Sequence, residues 1–113
     1  MITGLHTIVY SAQAEDVRAF FRDVLGFSSV DAGDGWLIFA TPPSELAVHP
    51  SDEPKHELYL MCDDIDATVK ELADKGVQCG PVSDQGWGLL TSITLPGGSQ
   101  LGLYQPRHPT AAY

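Results

Sequence analysis

Hydrophobic positions in residues 55–77 change from a two-residue spacing to a helical one. Side chains of residues 56–62 fall alternately on two faces, as the period of a strand requires, and the face of Leu58, Leu60 and Cys62 is the more apolar. The helical repeat that follows is made by Ile65, Val69, Leu72 and Ala73. Gly76 ends it, as glycine commonly ends helices. The pattern predicts a strand running into an amphipathic helix, with the helix over one strand face and Glu57 on the other.

The same order of patterns occurs near the start of the chain, with a predicted strand at 5–10 and a predicted helix at 14–25 that stops before Gly26. Further strands are predicted at 27–30, 36–41 and 45–49 in the first half, and at 77–79, 87–95 and 100–105 in the second. The sequence therefore predicts an α+β fold of paired βαβββ modules within one domain, 1–113. Module one spans about 1–50, module two about 55–106, and 107–113 form a tail.

Composition narrows the classes of partner. A chain of 113 residues with 43% hydrophobic residues can bury a core without a metal or disulfide. The formal net charge of −9 disfavours nucleic acid and anionic membranes as partners, and no apolar run approaches the roughly 18 residues that cross a bilayer. Cys62 and Cys79 show no metal-binding spacing, and the N-terminus shows no signal-peptide pattern. We expect a cytoplasmic protein.

Three polar side chains on predicted strands are candidates for chemistry: His6, His49 and Glu57. If the two modules pack side by side, two imidazoles and a carboxylate line one concave sheet, a set that suits a divalent metal with positions open to substrate. Each has an ordinary alternative. A lone strand histidine is commonly a hydrogen-bonded structural residue, and His49 beside Pro50 can be a surface residue. Burying Glu57 among apolar neighbours costs roughly several kcal/mol unless a cation or donor pairs with it.

Aromatic side chains offer a second kind of site. Walls around a flat ligand can be built from Trp36, Tyr59, Trp87 and Tyr104, which can equally belong to the core. Asp63 and Asp64 are expected only to cap the second helix, and His108 is expected to be solvated in the tail.

Four segments carry a family resemblance. Residues 4–10, 19–27, 62–66 and 95–98 read GLHTIVY, AFFRDVLGF, CDDID and LPGG. They resemble the vicinal oxygen chelate superfamily, which includes glyoxalase I, bleomycin-resistance proteins, fosfomycin-resistance thiol transferases and extradiol dioxygenases. The resemblance covers nearly the whole chain. It implies a half-open mixed-sheet barrel around a metal or ligand cavity, usually in a homodimer.

The resemblance also implies up to four equivalent metal-ligand positions. His6 falls at the first, His49 at the second, and Glu57 at the third, where the family more often has histidine. The fourth, usually glutamate, is Gly102, which has no side chain to bind a metal. Gln100, Tyr104 or a partner chain would have to replace it.

Two functions from different classes remain open. One is a lyase, isomerase or dioxygenase in which His6, His49 and Glu57 bind Zn, Ni, Mn or Fe as a Lewis acid, with Glu57 also catalytic. The other is a metal-free binding protein of the bleomycin-resistance type, which holds an antibiotic or aromatic compound. Its ligand-binding residues would be Trp36, Tyr59, Trp87, Gly102 and Tyr104. Three metal-competent residues at family positions favour the enzyme slightly, whereas Gly102 favours the binding protein. A degenerate member with only an interaction role is a third possibility.

Overall fold

A computed structural model describes residues 6–45, 47, 50, 52 and 56–109. Its helices are α1 (Ala14–Ala19), continued by a π-helical turn (Phe20–Val24), and α2 (Ile65–Asp74). Its strands are β1 (Ser29–Asp31), β2 (Leu37–Phe39), β3 (Tyr59–Met61), β4 (Ser83–Asp84), β5 (Gly88–Thr94) and β6 (Gln100–Pro106).

The second half forms a four-stranded sheet in the order β3-β6-β5-β4, with β3 parallel to β6 and the other pairs antiparallel. Helix α2 begins where the Asp64 side chain accepts a hydrogen bond from the Ala67 N–H at 3.1 Å, and the chain leaves it through Gly76 at φ 79°. Both ends of this helix were predicted from the sequence. The strand predicted at 77–79 is only a single bridge from Cys79 to Ile93, because Gly80 and Pro81 follow and proline donates no backbone hydrogen bond.

The first half contains the predicted helix and one hairpin. The helix widens to π geometry after Ala19, where the Leu25 N–H bonds the Phe20 carbonyl at 3.2 Å. Strands β1 and β2 pair with Val30 opposite Ile38. Their turn has the predicted Asp34-Gly35 chemistry, with both residues at positive φ.

The strand predicted at 5–10 is not observed in its described residues, and the strand predicted at 45–49 lies mostly outside the described part of the chain. Residues 6–10 form no strand, and Ile8 and Tyr10 are 56% and 85% exposed. Within the described part of the chain no segment supplies the backbone hydrogen bonds that this strand would need. Of the strand predicted at 45–49, Glu45 and Ala47 are outside any strand, and the other three residues lie outside the described ranges.

One hydrophobic core joins the two halves. It contains Val17, Phe20, Ile65, Leu72, Ile93, Leu95, Leu101 and Leu103, with Ile65 and Ile93 fully buried. The π-helical turn of the first half therefore packs with the covered face of the second-half sheet. Among the described residues no helix is long and apolar enough to cross a membrane.

Candidate functional site

The two faces of β6 have different roles. Leu101 and Leu103 are buried in the core, so Gln100, Gly102 and Tyr104 lie on the opposite face, as the two-residue period of a strand requires. A cavity of about 680 Å³ opens on that face. It lies where the sequence predicted a strand face without a helix over it. Its lining includes Ile8 and Tyr10 from the first half as well as Glu57, Tyr59, Leu90, Ser92 and Gly102 from the second.

Glu57 and Tyr59, which both line this cavity, form a short hydrogen bond. The Tyr59 hydroxyl donates a hydrogen bond of 2.6 Å to the Glu57 carboxylate, which is short because the acceptor is charged. This bond, with smaller effects from burial and from the carboxylate charge, raises the pKa of the Tyr59 phenol above its ordinary 10.0. The Tyr59 phenol is therefore neutral at neutral pH and acts as the hydrogen-bond donor to Glu57.

Gly102 makes the position of the Tyr59 ring possible. Tyr59 and Gly102 are directly paired on β3 and β6. A β-carbon on Gly102 would lie 2.6 Å from Tyr59 Cε1 and 3.1 Å from Cγ, and closer still to Cδ1. The ring therefore lies over the glycine and fills the space of the absent side chain. The resemblance assigns the fourth metal ligand to this same position.

Four rings are in contact through Tyr104. We call them the aromatic row: Tyr59, Tyr104, Trp87 and His108. Tyr104 is central, because its ring meets Tyr59 and Trp87 edge-on at centroid distances of 5.8 and 5.4 Å. The Tyr104 hydroxyl is also 3.4 Å from His108 Nε2. Tyr59 and Trp87 remain 36% and 45% exposed. Tyr59 lines the cavity, whereas Trp87, Tyr104 and His108 are not part of its lining.

Two of the predicted assignments differ from this arrangement. Trp36 lies between β1 and β2, is 61% exposed and does not line the cavity; instead the Arg18 guanidinium lies 5.2 Å from the centre of its ring. His108 is half-buried against Tyr104 rather than solvated. His108 lies past the end of β6 at Pro106, so no strand period in the sequence indicated its contact with Tyr104.

The predicted metal ligands do not form a set in the described part of the chain. His6 is exposed and does not line the cavity that contains Glu57, and His49 lies outside the described residues. Among residues 6–45, 47, 50, 52 and 56–109, no three His, Cys, Asp or Glu side chains are arranged to hold a metal. Glu57 accepts a bond from Tyr59, and the Tyr59 ring fills the fourth ligand position. The described donors therefore do not fit a chelated ion, and the role of His49 stays a prediction.

These features define a small α+β protein whose sheet is packed against a helix on one face and opens to a ligand cavity on the other. The Glyoxalase/Bleomycin resistance protein/Dioxygenase superfamily matches residues 4–103, and the chain belongs to that superfamily. The α+β fold of paired modules and the family resemblance are thereby confirmed, together with the solved structures below. No protein of curated function matches the chain.

Several solved structures share the fold. TnmS3, an antibiotic binding protein from Streptomyces sp. CB03234, is 25% identical with a TM-score of 0.69, over 93% of this chain and 97% of that one. A glyoxalase/bleomycin resistance protein from the same organism is 25% identical with a TM-score of 0.58, over 83% and 92%. Lactoylglutathione lyase from Agrobacterium tumefaciens is 18% identical with a TM-score of 0.65, over 91% and 92%, which shows the fold alone.

Proposed function

We propose that this protein binds a flat aromatic small molecule in the cavity and along the aromatic row, without a metal ion. The observation that carries the proposal is the Tyr59 ring lying over Gly102 in contact with Tyr104. A ring in that place makes an aromatic wall, and it takes the space that a fourth metal ligand would need.

The size and lining of the cavity support a small organic ligand. Ligand pockets commonly measure roughly 300–1,000 Å³ and combine apolar walls with a few polar groups, and this cavity has about 680 Å³. Leu90 and Leu58 supply apolar surface, and Ser92 and Glu57 supply polar groups. Each aromatic contact with a ligand contributes roughly 0.5–1.5 kcal/mol beyond the area it buries. The similarity to an antibiotic binding protein favours the same class of function.

The metal-dependent enzyme is the second candidate function. Its support is the presence of Glu57 in the cavity, at a position where the resemblance implies a metal ligand. In that function His6, His49 and Glu57 would hold the divalent ion, which would supply Lewis acidity to a substrate with vicinal oxygens. The Tyr59 hydroxyl would have to leave Glu57. Elemental analysis of protein purified without a chelator tests it: about one ion per chain, lost in His6→Ala, would replace the proposal above.

A homodimer in the cytoplasm is part of the proposal. Exposed apolar side chains on the first half, among them Val30, Trp36 and Ile38, favour burial against a second copy. The free thiols of Cys62 and Cys79 suit a reducing compartment. Light scattering of the purified protein at two concentrations measures the oligomeric state, and a constant monomer mass would contradict the dimer.

Tryptophan fluorescence tests ligand binding, because the two tryptophans lie in different places. In Trp36→Phe the remaining emission comes from Trp87 in the aromatic row, and in Trp87→Phe it comes from the hairpin. We expect three-ring aromatic compounds to quench the fluorescence of Trp36→Phe saturably. The fluorescence of Trp87→Phe should stay nearly unchanged. Tyr104→Leu should weaken binding about tenfold, because it removes the central ring. Equal quenching of both variants, or none of either by the whole panel, would contradict the proposal.

A further inference from the structure

One row of paired residues crosses the cavity through three neighbouring strands. Ser92 on β5 is paired with Gly102 on β6, and Gly102 is paired with Tyr59 on β3. All three residues line the cavity. Neighbouring strands lie roughly 4.7–4.9 Å apart, and the Tyr59 ring lies over Gly102. A ligand ring that packs beside Tyr59 therefore comes within reach of the Ser92 hydroxyl.

The Ser92 side chain faces the cavity and keeps its hydrogen-bonding capacity. Its neighbours Thr91 and Ile93 are buried, so Ser92 belongs with Leu90 to the opposite face of β5, where it is partly exposed. In the described part of the chain the Ser92 hydroxyl makes no hydrogen bond, whereas the Thr91 hydroxyl donates to the Gly80 carbonyl at 2.6 Å. Ser92 is therefore a polar group of the cavity that the fold does not use.

Glycine at position 80 leaves this hydroxyl uncovered. The Gly80 N–H donates to the Ser92 carbonyl at 2.9 Å, so the two backbones run side by side. A β-carbon on Gly80 would lie 3.3 Å from Ser92 Oγ. The absence of that carbon keeps the approach to the hydroxyl open from this side.

A bound ligand changes the surroundings of Ser92. A flat compound that covers the row takes water away from the hydroxyl, and a hydroxyl buried without a partner weakens binding. A ligand that offers a hydrogen-bonding group at this point avoids that loss. Binding pockets commonly use a few placed polar groups in this way to orient and select their ligands.

On the basis of the proposed function, we infer that the ligand is a flat aromatic compound with an oxygen substituent on its rings, a carbonyl or a hydroxyl, and that Ser92 hydrogen-bonds to this oxygen. A serine hydroxyl can donate to a carbonyl, and it can donate to or accept from a hydroxyl. The Tyr59 ring contacts the flat part of the ligand. Ser92 therefore determines specificity, because it favours oxygenated compounds over hydrocarbons of the same shape.

Three probes with the same three-ring skeleton separate the oxygen from the shape. Fluorene is a hydrocarbon, fluorenone carries a carbonyl and fluorenol carries a hydroxyl. Equilibrium dialysis gives the affinity of each probe relative to fluorene. We expect Ser92→Ala to lower this ratio by about threefold to tenfold for at least one oxygenated probe, and the probe that responds identifies the group. Ser92→Thr, which keeps a hydroxyl, should keep the ratio.

A matched control removes a serine hydroxyl elsewhere. Ser29 is an exposed residue of β1 that does not line the cavity, so Ser29→Ala should leave both ratios unchanged. Ratios that survive Ser92→Ala for both oxygenated probes, or that fall as far in Ser92→Thr, would overturn the role of the Ser92 hydroxyl while leaving aromatic binding in place. Failure of all three probes and of all other aromatic compounds to bind would overturn the proposed function as well.

Discussion

Replacing Gly102 by alanine is the most direct way to disturb the cavity. The new methyl group would occupy the space of the Tyr59 ring, 2.6 Å from Cε1. Backbone strain is not involved, because Gly102 is not among the glycines with positive φ. Tyr59 is the group that can yield, since it is 36% exposed and can rotate toward solvent. We expect Gly102→Ala to move the ring away from Tyr104 and from Glu57.

The change in stability is the sum of opposing effects. Overpacking costs about 1–3 kcal/mol where nothing can move, but a ring that swings out mainly loses its edge contact with Tyr104, about 0.5–1.5 kcal/mol. Alanine in place of a strand glycine regains about 0.5–1 kcal/mol of backbone entropy. We expect a net destabilisation of about 0–2 kcal/mol.

A double-mutant cycle with Tyr59→Ala isolates this contact. Without the Tyr59 ring, Gly102→Ala has nothing to displace and should stabilise by about 0.5–1 kcal/mol. Urea unfolding of the four proteins should therefore give a coupling free energy of about 0.5–3 kcal/mol between positions 59 and 102. If the changes in unfolding free energy of the two single variants sum to that of the double variant within about 0.5 kcal/mol, the packing of the Tyr59 ring on Gly102 would be refuted.

Three further measurements check the fold and the polar contact. Asp64→Ala removes the cap of α2 and should cost about 1 kcal/mol in urea unfolding; an unchanged midpoint would contradict the cap. Ile93→Ala empties a fully buried position and should cost about 2–5 kcal/mol, whereas Val30→Ala at a 67% exposed position should change stability by less than about 0.5 kcal/mol. The folded pKa of Tyr59 is raised, so its contribution to stability is complete below pH 10.0 and disappears as pH rises through the raised value. Phenolate absorbance in Glu57→Gln should show that phenol titrating at lower pH than in the unmodified protein.

Local patterns were sufficient to predict α2 and the strands β3, β5 and β6, whereas β4 was not predicted and the strand predicted at 77–79 is a single bridge. The helical repeat that begins at Ile65, a capping aspartate expected at Asp63 or Asp64, and the stop at Gly76 are all read within one segment. The structure has the cap at Asp64. The hairpin at Asp34-Gly35 was equally local. Each of these elements depends on neighbours within a few residues, which the sequence displays directly.

Features that depend on distant partners could not be predicted in the same way. The alternation at 5–10 indicates a strand, but a strand needs a second segment to bond with, and none is present among the described residues. Tyr59 and Gly102 were both predicted to bind ligand, but their contact depends on the register of β3 against β6. That register is a property of the assembled sheet, and the sequence identified the two residues without showing that they meet.

The shared space of Tyr59 and Gly102 also restricts how relatives of this protein can diverge. A ring packed at position 59 and a side chain at position 102 compete for the same space, so the residues at these two positions should vary together. With a small residue at 59, an acid at 102 has room in the cavity, whereas with tyrosine at 59 it turns the ring away from Tyr104. The residue at 59 therefore decides whether an acid at 102 leaves the aromatic wall in place.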